Sequence, residues 1–236
     1  MPQAPQDHLP RLIDGPQLAP ATVLLAHGAG AGMDSPFLNS IATGLGNHGW
    51  RVVRFPFPYM ALMISGAGRR APDRMPVLQQ AFRHEVEREL QASPTRPLVI
   101  GGKSLGGRVA SLLADELAAG TGAPAGSGTD GVRGCLCLGY PFHPPGKPEQ
   151  RRTAHLEALQ CPTLILQGER DPFGRREEVE GYALAAAVRL RWLRGGDHSF
   201  KPLRSSGLSE ADTRSEEHTS ELQSHSDLVC RLLLEK

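Results

Sequence analysis

The chain lacks an excess of charge of either sign: 26 lysines and arginines stand against 25 aspartates and glutamates, for a net charge of +1. A balance so even sets up no long-range field for a nucleic-acid backbone or an anionic lipid surface, and it points to a small-molecule partner. Apolar runs long enough to cross a bilayer are missing as well. The opening residues, MPQAPQDHLPRL, have neither the basic start nor the apolar core of a secretory leader. These absences lead to the expectation of a cytoplasmic protein with no nucleic-acid or membrane partner, and they leave oligomeric state open. Cysteine is scarce, at four residues. Cys135 and Cys137 lie two apart in the strand-like run GCLCLGY, and Cys161 precedes Pro162 at the start of another strand. That spacing supplies no second ligand pair for zinc and no disulfide framework, so core thiols, no metal and a reducing compartment are expected.

The composition, 39% hydrophobic and 22% charged, is that of a soluble globular protein, and 236 residues suffice for one sizeable domain. Residues 1–21 read as a lead-in that contributes at most an edge strand at Leu12 and Ile13. Thr22–Ala26, Arg51–Phe55, Leu98–Ile100, Val132–Tyr140, Cys161–Gln167 and Val188–Leu193 read as strands. Helical patterns lie between them over 36–45, 76–90, the residues after Ser104, and 175–187. Such alternation predicts an α/β fold: a doubly wound, mainly parallel sheet of about six strands with helices on both faces. The proline-containing stretch FPFPYMALMISGAGRRAP is expected to form no single regular element, and residues 139–163 are too few for a cap domain.

Pro97–Ser111, PLVIGGKSLGGRVAS, organises the rest. An apolar run ends in glycines, Ser104 stands between Gly102 and Gly106, and a helical pattern begins at once. That order is what a nucleophile elbow needs: glycine where neighbouring Cβ atoms would collide, and a strained serine lifted clear of the sheet. A phosphate-binding loop would need a glycine where Pro97 stands. Upstream, the first buried strand runs into His27-Gly28-Ala29-Gly30-Ala31-Gly32, a loop whose backbone can approach a ligand. Ala29 is the candidate for a second oxyanion N–H, beside that of Leu105 after the serine. Two later strands end in Gly168-Glu169-Arg170-Asp171-Pro172-Phe173 and Gly195-Gly196-Asp197-His198-Ser199-Phe200. The resulting chain order Ser, Asp, His, with each member after a strand, is that of the α/β-hydrolase triad. Glu169 and Asp197 are rival acids, the first without the Asp-Pro turn and the second adjacent in sequence to the ring it would have to reach.

On HGAGAG, GGKSLGG, GERDPFG and GGDHSF, the chain resembles the small dienelactone-hydrolase-like members of the α/β-hydrolase superfamily over residues 22–213. The resemblance implies a serine hydrolase without a cofactor, acting on a small ester, lactone or thioester through an acyl-enzyme. Ser104 would be the nucleophile, His198 the base and Asp171 its orienting acid, with Ala29 and Leu105 as the oxyanion hole. Candidate substrate contacts are Tyr59, the pair Arg69 and Arg70 for a carboxylate, and His143. Lys103, beside the serine, reads either as a bias toward anionic substrates or as a solvated side chain. The alternative is a non-catalytic interaction module on the same scaffold. Residues 214–236, starting RSEEHTSELQS, resemble the translation of a sequencing-library adapter fused in frame, in place of the family's native last helix.

Overall fold

The computed structural model of the chain describes residues 10–119 and 131–201. The adapter-like segment, the expected loss of a last helix, the boundary at 213 and most of the glycine-rich stretch before residue 131 lie outside the described residues.

Seven strands form one sheet in the order β1-β3-β2-β4-β5-β6-β7. They are β1 (Leu12–Asp14), β2 (Thr22–Ala26), β3 (Arg51–Phe55), β4 (Leu98–Lys103), β5 (Val132–Leu138), β6 (Thr163–Gly168) and β7 (Val188–Leu193). Only β1 is antiparallel, pairing Ile13 with Val53, so the lead-in supplies a seventh strand beside the six parallel ones. Strand β2 is buried throughout and feeds two cores by alternation. Leu24 and Ala26 face the core shared with Phe82, Val86, Val109 and Leu113, while Val23 and Leu25 face Leu38, Ile41 and Leu45. Helices α3 (Met75–Ala92) and α4 (Leu105–Ala119) therefore cover one face and α1 (Pro36–Asn47) the other. Ser35 caps α1 by accepting from the Leu38 N–H, and Pro36 occupies the first turn.

Two expectations change. The stretch after β3 does contain a regular element, α2 (Pro58–Ile64). Pro58 begins it at a position where a missing N–H costs no helical hydrogen bond. The helix expected over 175–187 shrinks to α5 (Arg176–Val179). Past Gly181 the chain turns, and the Ala185 N–H pairs with the Leu156 carbonyl at 2.9 Å instead of a helical partner. Helix α3 also carries two acids into the interior. Glu85 and Glu89 are buried, and Arg11, Arg51 and Arg88 pair with them. Between β5 and β6 the only helical element described is a single turn of 3₁₀ helix at Ala154–Glu157, and no cap stands there among the described residues.

The elbow depends on backbone packed against backbone. A Cβ on Gly102 would stand 2.4 Å from the Ala26 carbonyl oxygen, and one on Gly106 would stand 2.4 Å from the same atom. Gly102→Ala is expected to cost about 3 kcal/mol or more, because neither clashing group is a flexible side chain. Gly30→Ala, with nothing within 4 Å, is expected to stay within about 0.5 kcal/mol of the parent. Urea unfolding of the two variants checks this, and equal stabilities would refute the packing account.

Candidate active site

Ser104 follows the last residue of β4 and precedes α4, with φ at 51°, one of two non-glycine residues of positive φ among those described. A side chain in that left-handed region is strained, and the strain is held from both sides. The Ser104 N–H donates to Leu138 of β5 at 3.0 Å, and the Ser104 carbonyl accepts from Arg108 in the first turn of α4 at 3.0 Å.

The glycine loop after β2 lies alongside. A Cβ on Gly28 would come 3.7 Å from the Ser104 Cβ, which is ordinary contact. His27, fully buried, shapes this loop: its Nδ1–H donates to the Gly28 carbonyl at 2.7 Å, and its Nε2 accepts from the Phe57 N–H at 2.9 Å. Burial lowers its proton affinity, which favours the neutral ring these two bonds require. Tyr59 is also buried, and its hydroxyl donates to the Gly28 and Ala29 carbonyls at 3.1 and 3.3 Å. Its hydroxyl thus orders the Ala29 loop.

Asp171 lies past the end of β6 with no exposed surface. Its Oδ1 accepts from the Phe173 N–H at 2.9 Å. Its Oδ2 accepts from Gln167 Nε2 at 2.9 Å and from His198 Nδ1 at 2.7 Å. The carboxylate therefore fixes the histidine tautomer, with the proton of the neutral ring on Nδ1. Neither rival acid meets the ring. Glu169 accepts from the Gly195 N–H and pairs with Arg176, while Asp197 accepts from the N–H groups of Ser199 and Lys201. The Phe173 ring packs 4.3 Å from that of His198.

Lys103 joins the two ends of the site. Strands β5 and β6 separate β4 from β7 in the sheet, yet Lys103 Nζ donates to the His198 carbonyl. The ammonium lies 5.2 Å from the Phe37 ring centre and 5.5 Å from that of Phe200. A Cβ on Gly139 would stand 2.6 Å from Nζ and 3.4 Å from His198 Cε1, and Gly139 takes φ of +64°, a conformation that favours glycine in the turn after β5. The loops after β4, β5 and β7 thus converge, carrying Ser104, Gly139 and His198.

The remaining sequence candidates are not gathered with these residues. His143 is buried, its ring nitrogens facing the Pro144 carbonyl at 2.8 Å and Glu178 at 2.9 Å. Arg69 and Arg70 are exposed. A second serine–histidine pair, Ser111 Oγ to His155 Nε2 at 2.9 Å, sits in mid-α4, where the hydroxyl also faces the Arg108 carbonyl at 3.0 Å. Ser111 is 1% exposed and lacks an elbow's geometry. Sequence reasoning missed Gln167, whose signal was an amide in the otherwise apolar strand TLILQG. Its Nε2 also faces the Tyr140 and Gly174 carbonyls, and its Oε1 accepts from the Tyr140 N–H at 2.7 Å. Among the described residues no cluster of side chains is suited to a metal ion, and no helix is long and apolar enough to cross a membrane.

Burial lowers the Lys103 ammonium from 10.5 to about 8, against the upward pull of Asp171 and Asp197. The unfolded chain keeps this proton up to about pH 10.5, whereas the folded chain releases it near pH 8. Between those limits unfolding takes up a proton, so the Lys103 contribution to stability rises with pH. The stability of the parent relative to Lys103→Met is expected to rise across that window by on the order of 2 kcal/mol, allowing for partial exposure. Urea unfolding as a function of pH checks it, and a flat difference would refute it.

The sequence profile of the family described as "Alpha/beta hydrolase domain" matches residues 19–225. Among solved structures, the chain is similar to the α/β serine hydrolase without a lid XC6422 of Xanthomonas campestris. That likeness has 19% identity, 96% coverage of this chain, 90% of the other and a TM-score of 0.67. It is similar to dienelactone hydrolase from Anabaena variabilis at 19% identity, with 94% and 91% coverage and a TM-score of 0.66. Est1E of Butyrivibrio proteoclasticus, solved with ferulic acid bound, is similar at 12% identity, 97% and 96% coverage and a TM-score of 0.63. At such identities these neighbours speak for the fold, and the profile match over most of the length speaks for descent: the chain belongs to the α/β-hydrolase domain family.

Proposed function

We propose that the protein is a serine hydrolase that cleaves a small ester, lactone or thioester through an acyl-enzyme, with Ser104, His198 and Asp171 as its triad. The observation that carries this reading is the 2.7 Å hydrogen bond from His198 Nδ1 to the buried Asp171 carboxylate, at the same sheet edge as the strained Ser104. A serine hydroxyl alone is a poor nucleophile at neutral pH. In the proposed mechanism His198 Nε2 takes the Ser104 proton as Oγ bonds to the substrate carbonyl carbon. The carbonyl π electrons move to oxygen, where the N–H groups of Leu105 and Ala29 receive the negative charge. Asp171 stabilises the imidazolium. Collapse breaks the bond to the leaving oxygen or sulfur, which departs with the proton from His198. Water then repeats the sequence on the acyl-serine, delivering its proton through His198 and releasing the acid.

The ordering of the glycine loop by His27 and Tyr59 supports the role given to Ala29. With its carbonyl and that of Gly28 held by the Tyr59 hydroxyl, the loop is braced and need not reorganise when charge develops. The likeness to a lidless hydrolase, to a dienelactone hydrolase and to an esterase bound to ferulic acid supports small acyl substrates over long lipids.

Hydrolysis of short-chain p-nitrophenyl esters tests the reading. Ser104→Ala is expected to abolish turnover above background, and Asp171→Asn to lower kcat by about 10³- to 10⁴-fold through the wrong histidine tautomer, both with circular dichroism of the folded parent. A folded Ser104→Ala protein that hydrolyses these esters at the parental rate would overturn the assignment.

A further inference from the structure

Next to the elbow stands a polar group that the proposed hydrolysis does not use. Arg108 lies one turn into α4, tied to Ser104 by its own N–H, and helical side chains lean back toward the N-terminus, here toward the elbow. Its Nε is shielded from solvent and meets no hydrogen-bond acceptor. Among the described residues no carboxylate forms an ion pair with its guanidinium. Arg54 makes the contrast: its Nε is also unpartnered, yet its two terminal nitrogens reach Met33, Asn39 and Asp14.

The segment after β5 is stitched to this flank of α4. Ser111 bridges the Arg108 carbonyl and His155. Buried Tyr140 donates its hydroxyl to the Arg152 carbonyl at 2.9 Å, and its ring centre lies 6.4 Å from that of His155. The Arg152 N–H donates to Phe142 at 2.8 Å. This brings the two arginines within electrostatic reach: burial first, and the Arg108 charge second, hold Arg152 below its ordinary proton affinity. The same two causes in the same order bring His155 down to about 4, so it adds no charge at neutral pH. Asp115, which also acts on His155, spends its carboxylate on the N–H groups of Gln160 and Cys161.

Two guanidinium groups that repel each other, one with a buried N–H still to be satisfied, favour an anion between them. Their forked donors match the geometry of carboxylate and phosphate oxygens. We propose that Arg108 and Arg152 form a subsite for an anionic oxygen group, carboxylate or phosphate, carried by the compound whose carbonyl Ser104 attacks. Attack by Ser104 on that compound rests on the hydrolase reading, while anion binding does not. Arg69 and Arg70 are exposed, whereas Arg108 and Arg152 are half-buried.

Ser104→Ala protein is heated with monomethyl succinate, with methyl phosphate and with neutral methyl butyrate. At least one anion is expected to raise Tm and the neutral ester not to, the larger of the two anion shifts identifying the group; the shift is expected to vanish when Arg108→Gln is added and to shrink when Arg152→Gln is added. With Ser104 restored, kcat/KM for p-nitrophenyl hemisuccinate relative to p-nitrophenyl butyrate is expected to fall about tenfold or more in either arginine variant, with partial rescue by Arg108→Lys. Arg152→Gln, outside the helix that carries the elbow, keeps the test valid should Arg108→Gln fail to fold. Anion shifts indifferent to both arginines, or an unchanged substrate ratio, overturn the subsite. An arginine-dependent anion shift in a protein that hydrolyses no ester supports the subsite and overturns only the hydrolase reading. Ser104-dependent hydrolysis with no anion shift does the reverse.

Discussion

The carboxyl edge of this sheet depends on one contact: the first turn of α4 lying bare against the end of β2. With Gly102 and Gly106 both pressed on the Ala26 carbonyl, no side chain separates helix from sheet. The chain must then reverse within a single residue, and that residue, Ser104, takes the left-handed conformation. Everything else at the edge is placed relative to this reversal. The glycine loop leaves β2 at the point of contact, Lys103 is the last residue before it, and Arg108 is one turn beyond it.

How far the site could be read from the sequence follows from the distance over which each constraint acts. The elbow was legible because its glycines, strand and helix are neighbours in the chain, and steric crowding there admits few other residues. The order of Ser104, Asp171 and His198 was legible because each stands at a strand end, and strand ends follow from apolar runs. Lys103 was not, since its partner carbonyl is 95 residues away and nothing local distinguishes a buried lysine from a solvated one. Tyr59 and His143 follow β3 and β5, but their hydrogen bonds to Gly28 and Glu178 are tertiary facts that no local pattern shows. The short helix at Pro58 was hidden for a different reason: proline reads as a breaker unless its position in the helix is already known. The helix cut short at Val179 was a case of propensity losing to a tertiary hydrogen bond at Ala185.

Polar side chains buried at this edge act chiefly on backbone. His27 holds Phe57 and Gly28, Tyr59 holds Gly28 and Ala29, and Gln167 holds Tyr140 and Gly174 as well as Asp171. Each of them replaces solvent for carbonyl and N–H groups that loops cannot pair among themselves. The catalytic candidates are few, and the larger number of buried polar groups keep irregular backbone in one arrangement, so that a charge developing near Ser104 would meet fixed dipoles.

The neutral ring of His27 has a consequence beyond geometry. Its Nε2 works only as an acceptor, and a proton added there would confront the Phe57 N–H with another donor in a site that water does not reach. Acid strong enough to protonate this ring, below the ordinary histidine range because burial disfavours the charge, therefore attacks the glycine loop from inside the fold. The scaffold carries its own acid limit, set by a histidine whose two ring nitrogens are both spent on backbone.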